Sequence, residues 1–517
     1  MKNCEGMKKK TMKGKVYLVG AGPGDPGLLT IKGKECIAAA DVIIYDHLAS
    51  PRLLDHAKKT AKIIYVGKKG GHHILAQEKI NAMIVEEARK EKLVVRLKGG
   101  DPFIFGRGGE EAEVLVNAGI PFEIVSGVTS AIAAPAYAGI PLTHRKFTAT
   151  LAFVTGHEAP DKEKSNINWD ALAKGIGTIV FLMGVKNLFH IVKELIDHGK
   201  PPETRVALVR WGTTANQITV TGTLDTIVEK VKTAGLKPPA VIVVGDVISL
   251  RDSIKWFENR PLMGKKIVVT RAGEQASELV KRLSDQGADC LEYPMIKIIP
   301  ADDFSPLDRA IENIASYNYL VFTSVNGVDF FFERLFEKGK DARCLGHVRT
   351  ATVGSVTSER LKRFGVNSDI VPASYRAESI IEAFRKERVD GKRILLPKAR
   401  DARPLLPVEL TKLGARVDEI IVYHASPVSD NADALLENLE NRSIDLITFT
   451  SSSTVKNFKS LLPEEKFEEL TKDVAFASIG PVTTDTAEQL GFNVQITAEE
   501  YTVAGLCDAI LNFFNHT

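Results

Sequence analysis

From Lys15 onward, short runs rich in valine and isoleucine alternate with stretches whose apolar residues recur at helical spacing. "VYLVG", "VIIYD", "LVVRL", "TIVFLMG" and "AVIVVG" read as buried strands, and residues 77–90 and 108–118 as amphipathic helices. Strands alternating with helices predict an α/β architecture with largely parallel sheets. At 517 residues the chain is too long for one hydrophobic core, so several domains are expected. The polar stretch "RDSIKWFENRPLMGKK", residues 251–266, interrupts the alternation ahead of a fresh strand, and places a boundary there.

The second half repeats itself. "GKKIVVTRAGEQASELVKRL" begins at Gly264, and "GKRILLPKARDARPLLPVEL" begins 127 residues later at Gly391. "FTSVNGVDFF" at Phe322 returns as "FTSSSTVKNF" at Phe449, again 127 residues on. "ATVGSVTSERLKRFG" at Ala351 returns as "ASIGPVTTDTAEQLG" at Ala477, 126 residues on. A nearly constant offset implies two similar α/β lobes, with ligands expected between them at the carboxyl ends of strands.

Lys and Arg number 68 against 65 Asp and Glu, a net charge of +3 that gives no general case for a nucleic-acid partner. The five cysteines are scattered, with no C-x-x-C pair, which fits a reducing cytosol. No apolar run approaches the roughly 18 residues of a membrane helix. The start is basic without the apolar stretch of a signal peptide; residues 1–13 read as a flexible tail, with Met7 or Met12 as alternative starts.

"LVGAGPGDPGLLT" contains G-x-G-x-x-G from Gly22 to Gly27, and Asp46 follows Gly24 by 22 residues, near the spacing of a ribose-binding acid. A pyrophosphate cradle needs successive backbone N–H donors, and Pro23 and Pro26 have none. Two more glycine-rich loops follow strands, "RLKGGDPFIFGRGGEE" and "SGVTSAIAAPAYAGIPLTH", and none of the three carries the G-K-[ST] of a P-loop.

With "ADVIIYDHL", "VGKKGGHH" and "AYAGIPLTHR", these loops resemble, in order, the uroporphyrinogen-III C-methyltransferases of the tetrapyrrole methylase family, over about residues 15–254. One departure is Ser126, where the family usually has proline. The resemblance implies two lobes that hold folded S-adenosylmethionine as co-substrate in the cleft between them. It implies donor binding by Pro23, Gly99, Gly100, Asp101, Ile104, Thr129, Ser130, Met183 and Gly212. It matches Asp46 to a proton acceptor and Lys68 to a proton donor; on the residues alone, Asp46 could equally cap the next segment and Lys68 pair with a substrate carboxylate. Arg107 suits a carboxylate arm of the substrate, or a surface ion pair. His72-His73 has no third ligand at a metal-binding spacing and reads as solvated loop histidines, so no metal is expected.

"GKKIVVTRA", "VFTSVNGV", "VGSVTSERL" and "SIGPVTTDTA" resemble uroporphyrinogen-III synthase, over about residues 261–517. That family has two α/β lobes with the chain crossing over and back. Here this implies a first lobe of 264–299 plus 426–517 and a second of 300–425, with 14–254 the methyltransferase and 255–263 a linker. The implied reaction closes linear hydroxymethylbilane into the macrocycle with loss of water. It matches Tyr423 to a residue assisting departure of the hydroxyl, and Ser324, Thr357, Ser452 and Thr483 to carboxylate binding at helix starts; a structural tyrosine and simple helix caps are the alternatives.

Together the halves imply a bifunctional cytoplasmic enzyme. It would make uroporphyrinogen III and methylate it twice to precorrin-2, for cobalamin or sirohaem, as a homodimer through the methyltransferase. Two other readings remain on the residues: a methylase of the same superfamily with another substrate, and a second half that senses a ligand without turnover.

Overall fold

The structure, a computed structural model, describes residues 14–67, 76–157, 166–271, 274–372, 377–428 and 432–516. Among the described residues, those up to Ile267, with Lys281–Cys290 and 510–516, form one compact unit; those within 268–280 and 291–509 form the other.

The first unit carries two five-stranded sheets. In the first, β1 (Lys15–Gly20), β2 (Val42–Tyr45), β3 (Lys62–Tyr65), β4 (Leu93–Lys98) and β5 (Phe122–Val125) lie in the order β3-β2-β4-β1-β5, all parallel. Parallel strands need crossover connections, supplied here by helices such as Ile31–Ala39, Gln77–Arg89 and Gly108–Asn117. The second sheet joins β6 (Leu151–Thr155), β7 (Thr178–Leu182), β8 (Arg205–Arg210), β9 (Ile218–Thr223) and β10 (Ala240–Val244) in the order β6-β7-β10-β8-β9. Only β6 and β7 are parallel there. The largely parallel expectation is corrected: β8 returns directly as β9 through a short turn, which forces antiparallel pairing, and β10 runs against both β7 and β8.

The "VYLVG", "VIIYD", "LVVRL", "TIVFLMG" and "AVIVVG" runs all fall on strands of these sheets. Their residues are almost wholly buried because helices cover both faces. At the boundary stretch the chain forms a short helix, Arg251–Ile254, and then packs Phe257 against Tyr137, ring centroids 4.8 Å apart. Phe257 and Leu262 are buried, so apolar side chains hold this polar stretch in place.

The second half carries two further sheets. One orders β12 (Asp289–Glu292), β11 (Lys266–Val269), β18 (Leu446–Phe449), β19 (Ala475–Ser478) and β20 (Ile496–Thr497). The other orders β13 (Ile296–Pro300), β17 (Arg416–Pro427), β16 (Arg393–Ala399), β14 (Tyr319–Phe322) and β15 (Arg349–Thr352). The repeat is visible in the elements: Phe322 and Phe449 end equivalent buried strands, each followed by a serine-capped helix.

Candidate functional site

In the first unit, the ends of β1, β4 and β5 meet. Gly22 and Gly100 exchange two backbone hydrogen bonds, with Gly100 N donating to Gly22 O at 2.7 Å and Gly22 N to Gly100 O at 3.2 Å. Their φ angles of +75° and +69° are left-handed, which glycine adopts without steric cost. Asp101 ties the other loops together: its Oδ1 accepts from Phe103 N at 2.7 Å and its Oδ2 from Gly127 N at 3.0 Å. Both oxygens of this buried carboxylate are thus engaged by backbone. A Cβ on Gly127 would lie 2.7 Å from Gly20 Cα, so the two backbones touch. A Cβ on Gly100 would instead make ordinary van der Waals contact with Thr129 Cα at 3.7 Å and Ser130 N at 3.8 Å, at the start of helix Ser130–Tyr137. That is a cradle bordered by glycine and by a helix start.

The second sheet presents its loops to the same place. Asp25 N donates to Thr213 Oγ1 at 3.1 Å, and Tyr137 donates its hydroxyl hydrogen to Asp25 Oδ2 at 2.8 Å. Burial, and then the hydrogen bond to Asp25, push the Tyr137 phenol well above its ordinary range, so it stays a donor. The His47 ring sits edge-on to Trp211 at 5.8 Å. Gly212 packs on Ala134 of helix Ser130–Tyr137. Met183, Trp211 and Thr213 all have positive φ, as do Phe105 and Arg107. Non-glycine residues in that region store strain and gather at ligand sites. Leu48, Phe103, Ile104, Phe105 and Met183 are large apolar side chains left exposed on these loops.

Beneath the loops lies a buried ionic cluster. Alternation along β4 puts Arg96 and Lys98 on one face, and both are under 5% exposed. Lys98 Nζ lies 2.7 Å and Arg96 Nε 3.2 Å from Glu111 Oε1. Arg96 Nη2 reaches Asp46 Oδ2 at 2.9 Å, while Asp46 Oδ1 accepts from Leu48 N at 3.1 Å. Burial, and then the neighbouring Arg96 charge, push the Lys98 ammonium below its ordinary range. Glu111 Oε2 is buried without a hydrogen-bond partner among the described residues.

The structure therefore gathers Pro23, Gly99, Gly100, Asp101, Thr129, Ser130 and Gly212, with Asp46 to one side on the Arg96 cluster. Arg107 is exposed and holds Glu110 bidentately, at 2.9 and 2.7 Å. Lys68, like His72 and His73, lies outside the described residues. The sequence reading missed Thr213, Tyr137 and the Arg96–Lys98–Glu111 cluster. Two cations inside an apolar strand run, "VVRLK", were the available signal for the cluster.

In the second unit, Tyr423 on β17 donates its hydroxyl hydrogen to Ser324 Oγ at 3.0 Å and stacks on Phe330 at 5.8 Å. Both Tyr423 and Ser324 line a cavity of about 500 Å³, together with Ser453 and Asn457. Ser324 caps helix Val325–Glu337. The cap of helix Ser452–Leu461 is Ser451, one residue before the expected Ser452, whose Oγ lies 2.8 Å from Thr486 Oγ1. Thr357 and Thr483 are buried within the first turns of helices whose caps are Gly354 and Gly480. None of Ser452, Thr357 and Thr483 lines this cavity.

Known proteins resemble both halves of the chain. The family of tetrapyrrole (corrin/porphyrin) methylases matches residues 15–228, and that of uroporphyrinogen-III synthase HemD matches 277–508. The porphyrin biosynthesis protein HemD of Ruminiclostridium josui is 38% identical over 498 residues, 96% of this chain and 98% of that one. This chain belongs to that family: a tetrapyrrole methylase joined to a uroporphyrinogen-III synthase. Its methylase half is 57% identical to the uroporphyrinogen-III C-methyltransferase of Priestia megaterium over 236 residues, 46% of this chain and 99% of that protein. Among solved structures, the uroporphyrin-III C-methyltransferase of Thermus thermophilus, complexed with S-adenosylhomocysteine, is 38% identical; the match covers 46% of this chain and 100% of that one, with a TM-score of 0.40. Among the described residues, no helix is long and apolar enough to cross a membrane, and no group of three or more His, Cys, Asp or Glu is placed to hold a metal.

Proposed function

We propose that the synthase half, residues 264–517, closes hydroxymethylbilane to uroporphyrinogen III, and that the methylase half, residues 14–254, methylates that product twice to precorrin-2. Residues 255–263 link them. Within the synthase half, one lobe takes 264–299 plus 426–517 and the other 300–425. The observation that carries this reading is the full-length match to a porphyrin biosynthesis protein, with both halves present in one chain.

S-adenosylmethionine would lie at Gly100, whose left-handed φ of +69° and neighbouring helix start at Thr129 and Ser130 let backbone come close to a ligand. Gly99, Gly100, Asp101 and Ile104, Pro23, Thr129 and Ser130 would hold it from one sheet, and Met183 and Gly212 from the other. Its sulfonium supplies an electrophilic methyl group. The residues of the chain position the electron-rich pyrrole carbon and exclude water, and positioning of this kind supplies much of the rate. Asp46, oriented by Arg96, takes up the proton that the macrocycle loses from a neighbouring position once its ring carbon is methylated, and Lys68 returns one. Arg107 exchanges Glu110 for a substrate carboxylate.

In the synthase half, Tyr423 protonates the departing hydroxyl and Ser324, on the same cavity, faces a carboxylate arm; Thr357, Ser452 and Thr483 lie off that cavity and serve as helix-start residues. Neither reaction calls for a metal. The product feeds cobalamin or sirohaem, the enzyme works in the cytoplasm, and it dimerises through the methylase half. The test is one incubation of the full chain with hydroxymethylbilane and S-adenosylmethionine. Dimethylated uroporphyrinogen III is expected. Unmethylated product, or only the non-enzymatic type I isomer, would contradict one half or both.

A further inference from the structure

The synthase cavity has an unusual charge balance. Its polar lining is Thr323, Ser324, Tyr423, Ser453, Asn457 and Asp401; the remaining wall is alanine and isoleucine. Among the described residues, the lining thus holds one carboxylate, that of the solvent-exposed Asp401, and no cation. It sits in a turn closed by Ala402 N donating to Ala399 O at 3.2 Å. Arg400 N donates to Tyr423 O at 3.0 Å, so this turn is pinned to the backbone of the tyrosine itself.

Among the described residues, the Asp401 carboxylate has no ion pair or hydrogen bond of its own, although cations are near in sequence. Arg400 is turned to Asp302 at 2.7 Å and Lys398 to Glu419 at 2.5 Å. Arg403 is exposed and does not line the cavity. A lone carboxylate in the wall repels a substrate made of carboxylate arms. It therefore opposes binding of the ground state, and helps only where the substrate becomes positive.

We propose that Asp401 is a further catalytic residue of ring closure, its carboxylate stabilising the cation formed when the hydroxyl leaves. This rests on the synthase reading above. The carbon–oxygen bond of the terminal hydroxymethyl group breaks, and its electron pair leaves with oxygen, which takes a proton from Tyr423 and departs as water. The positive charge left on the methylene carbon spreads into its pyrrole ring, opposite Asp401. The substituted α-carbon of the last pyrrole ring attacks first. Its older bond to the neighbouring methylene then breaks, the positive charge passing to that methylene. Re-closure at the free α-carbon of the now inverted ring forms the final carbon–carbon bond, the proton lost there as the ring regains its aromaticity returning to the Tyr423 oxygen. In many enzymes, fixed charge aimed at developing charge accelerates the reaction more than any other single effect.

The test uses the full chain carrying Asp401→Asn. The kcat for uroporphyrinogen III formation is expected to fall about 100-fold, with KM for hydroxymethylbilane unchanged or lower, and Asp401→Glu recovers part of the loss. In competition assays, a linear tetrapyrrole ending in a protonated aminomethyl group binds the wild type at least tenfold more tightly than Asp401→Asn, whereas its neutral methyl counterpart binds both equally. Equal binding of the neutral analogue reports that the synthase half of the variant is folded. A kcat within twofold of wild type would overturn the inference, as would equal losses of affinity for both analogues. If the wild type itself fails to close the bilane, the synthase reading falls and this inference with it; normal wild-type turnover with an unaffected variant sinks the inference alone.

Discussion

At the scale of single residues, the cost of burying charge explains the methylase site. Arg96 and Lys98 occupy a strand whose other residues are aliphatic, and burying two cations costs several kcal/mol each unless partners are supplied. Glu111 and Asp46 supply them. Glu111 is fully enclosed, whereas the Asp46 side chain keeps 27% of its surface, so the cluster presents one carboxylate outward. Asp46→Asn keeps that shape and removes the proposed proton acceptor. Methylation kcat should drop about 10²- to 10⁴-fold, with S-adenosylhomocysteine affinity, read by calorimetry, unchanged. A kcat within twofold of wild type would leave Asp46 as the cap of the Leu48 turn. The sequence made Asp46 visible because it ends a strand. It hid the rest: nothing in "GDPG" says that the Asp25 amide reaches Thr213, 188 residues away, since that contact depends on how two sheets face each other.

At the scale of elements, glycines divide into those that hold backbones together and those that only complete a helix. Gly127→Ala drives a methyl group into the Gly20 backbone, which cannot move without displacing β1; overpacking of this kind costs about 1–3 kcal/mol. Gly109→Ala, in a helix with nothing within 4 Å of the new carbon, should be neutral or stabilise by up to about 1 kcal/mol. Thermal denaturation of the pair checks both signs. In the synthase half, helices Ser305–Glu312 and Val325–Glu337 are clamped by Asp308, which binds Arg334 at 2.6 Å and Lys338 at 2.8 Å. The Arg334 hydrogen bond, ahead of that from Lys338, lowers the Asp308 carboxyl from 3.8 to about 2. Because the folded value is depressed, its stabilisation is complete above pH 4 and disappears as pH falls through about 2. Asp308→Asn should therefore lower stability by about 1 kcal/mol near pH 6, and urea titrations should show that gap closing towards pH 2. A gap independent of pH would contradict the assignment. The strands were legible as short continuous apolar runs and the helices by their periodic burial; the antiparallel order of the second sheet was not, because an apolar run such as "AVIVVG" carries no mark of its direction in a sheet.

At the scale of the whole molecule, the 127-residue offset marks two equivalent lobes in the sequence itself, and the match across 96% of the chain to one porphyrin biosynthesis protein joins both halves to one chemistry. Which of the expected serines and threonines share a cavity could not be read from the sequence. Helix starts repeat in both lobes, and only packing puts Ser324 beside Tyr423 while leaving Ser452 against Thr486. The account depends above all on what the glycine loops after β1 and β4 receive. Calorimetric titration of the intact chain with S-adenosylhomocysteine, and separately with NAD, measures that directly. One molecule of S-adenosylhomocysteine bound per chain, with no heat from NAD, is the predicted result; binding of NAD without S-adenosylhomocysteine would contradict the account.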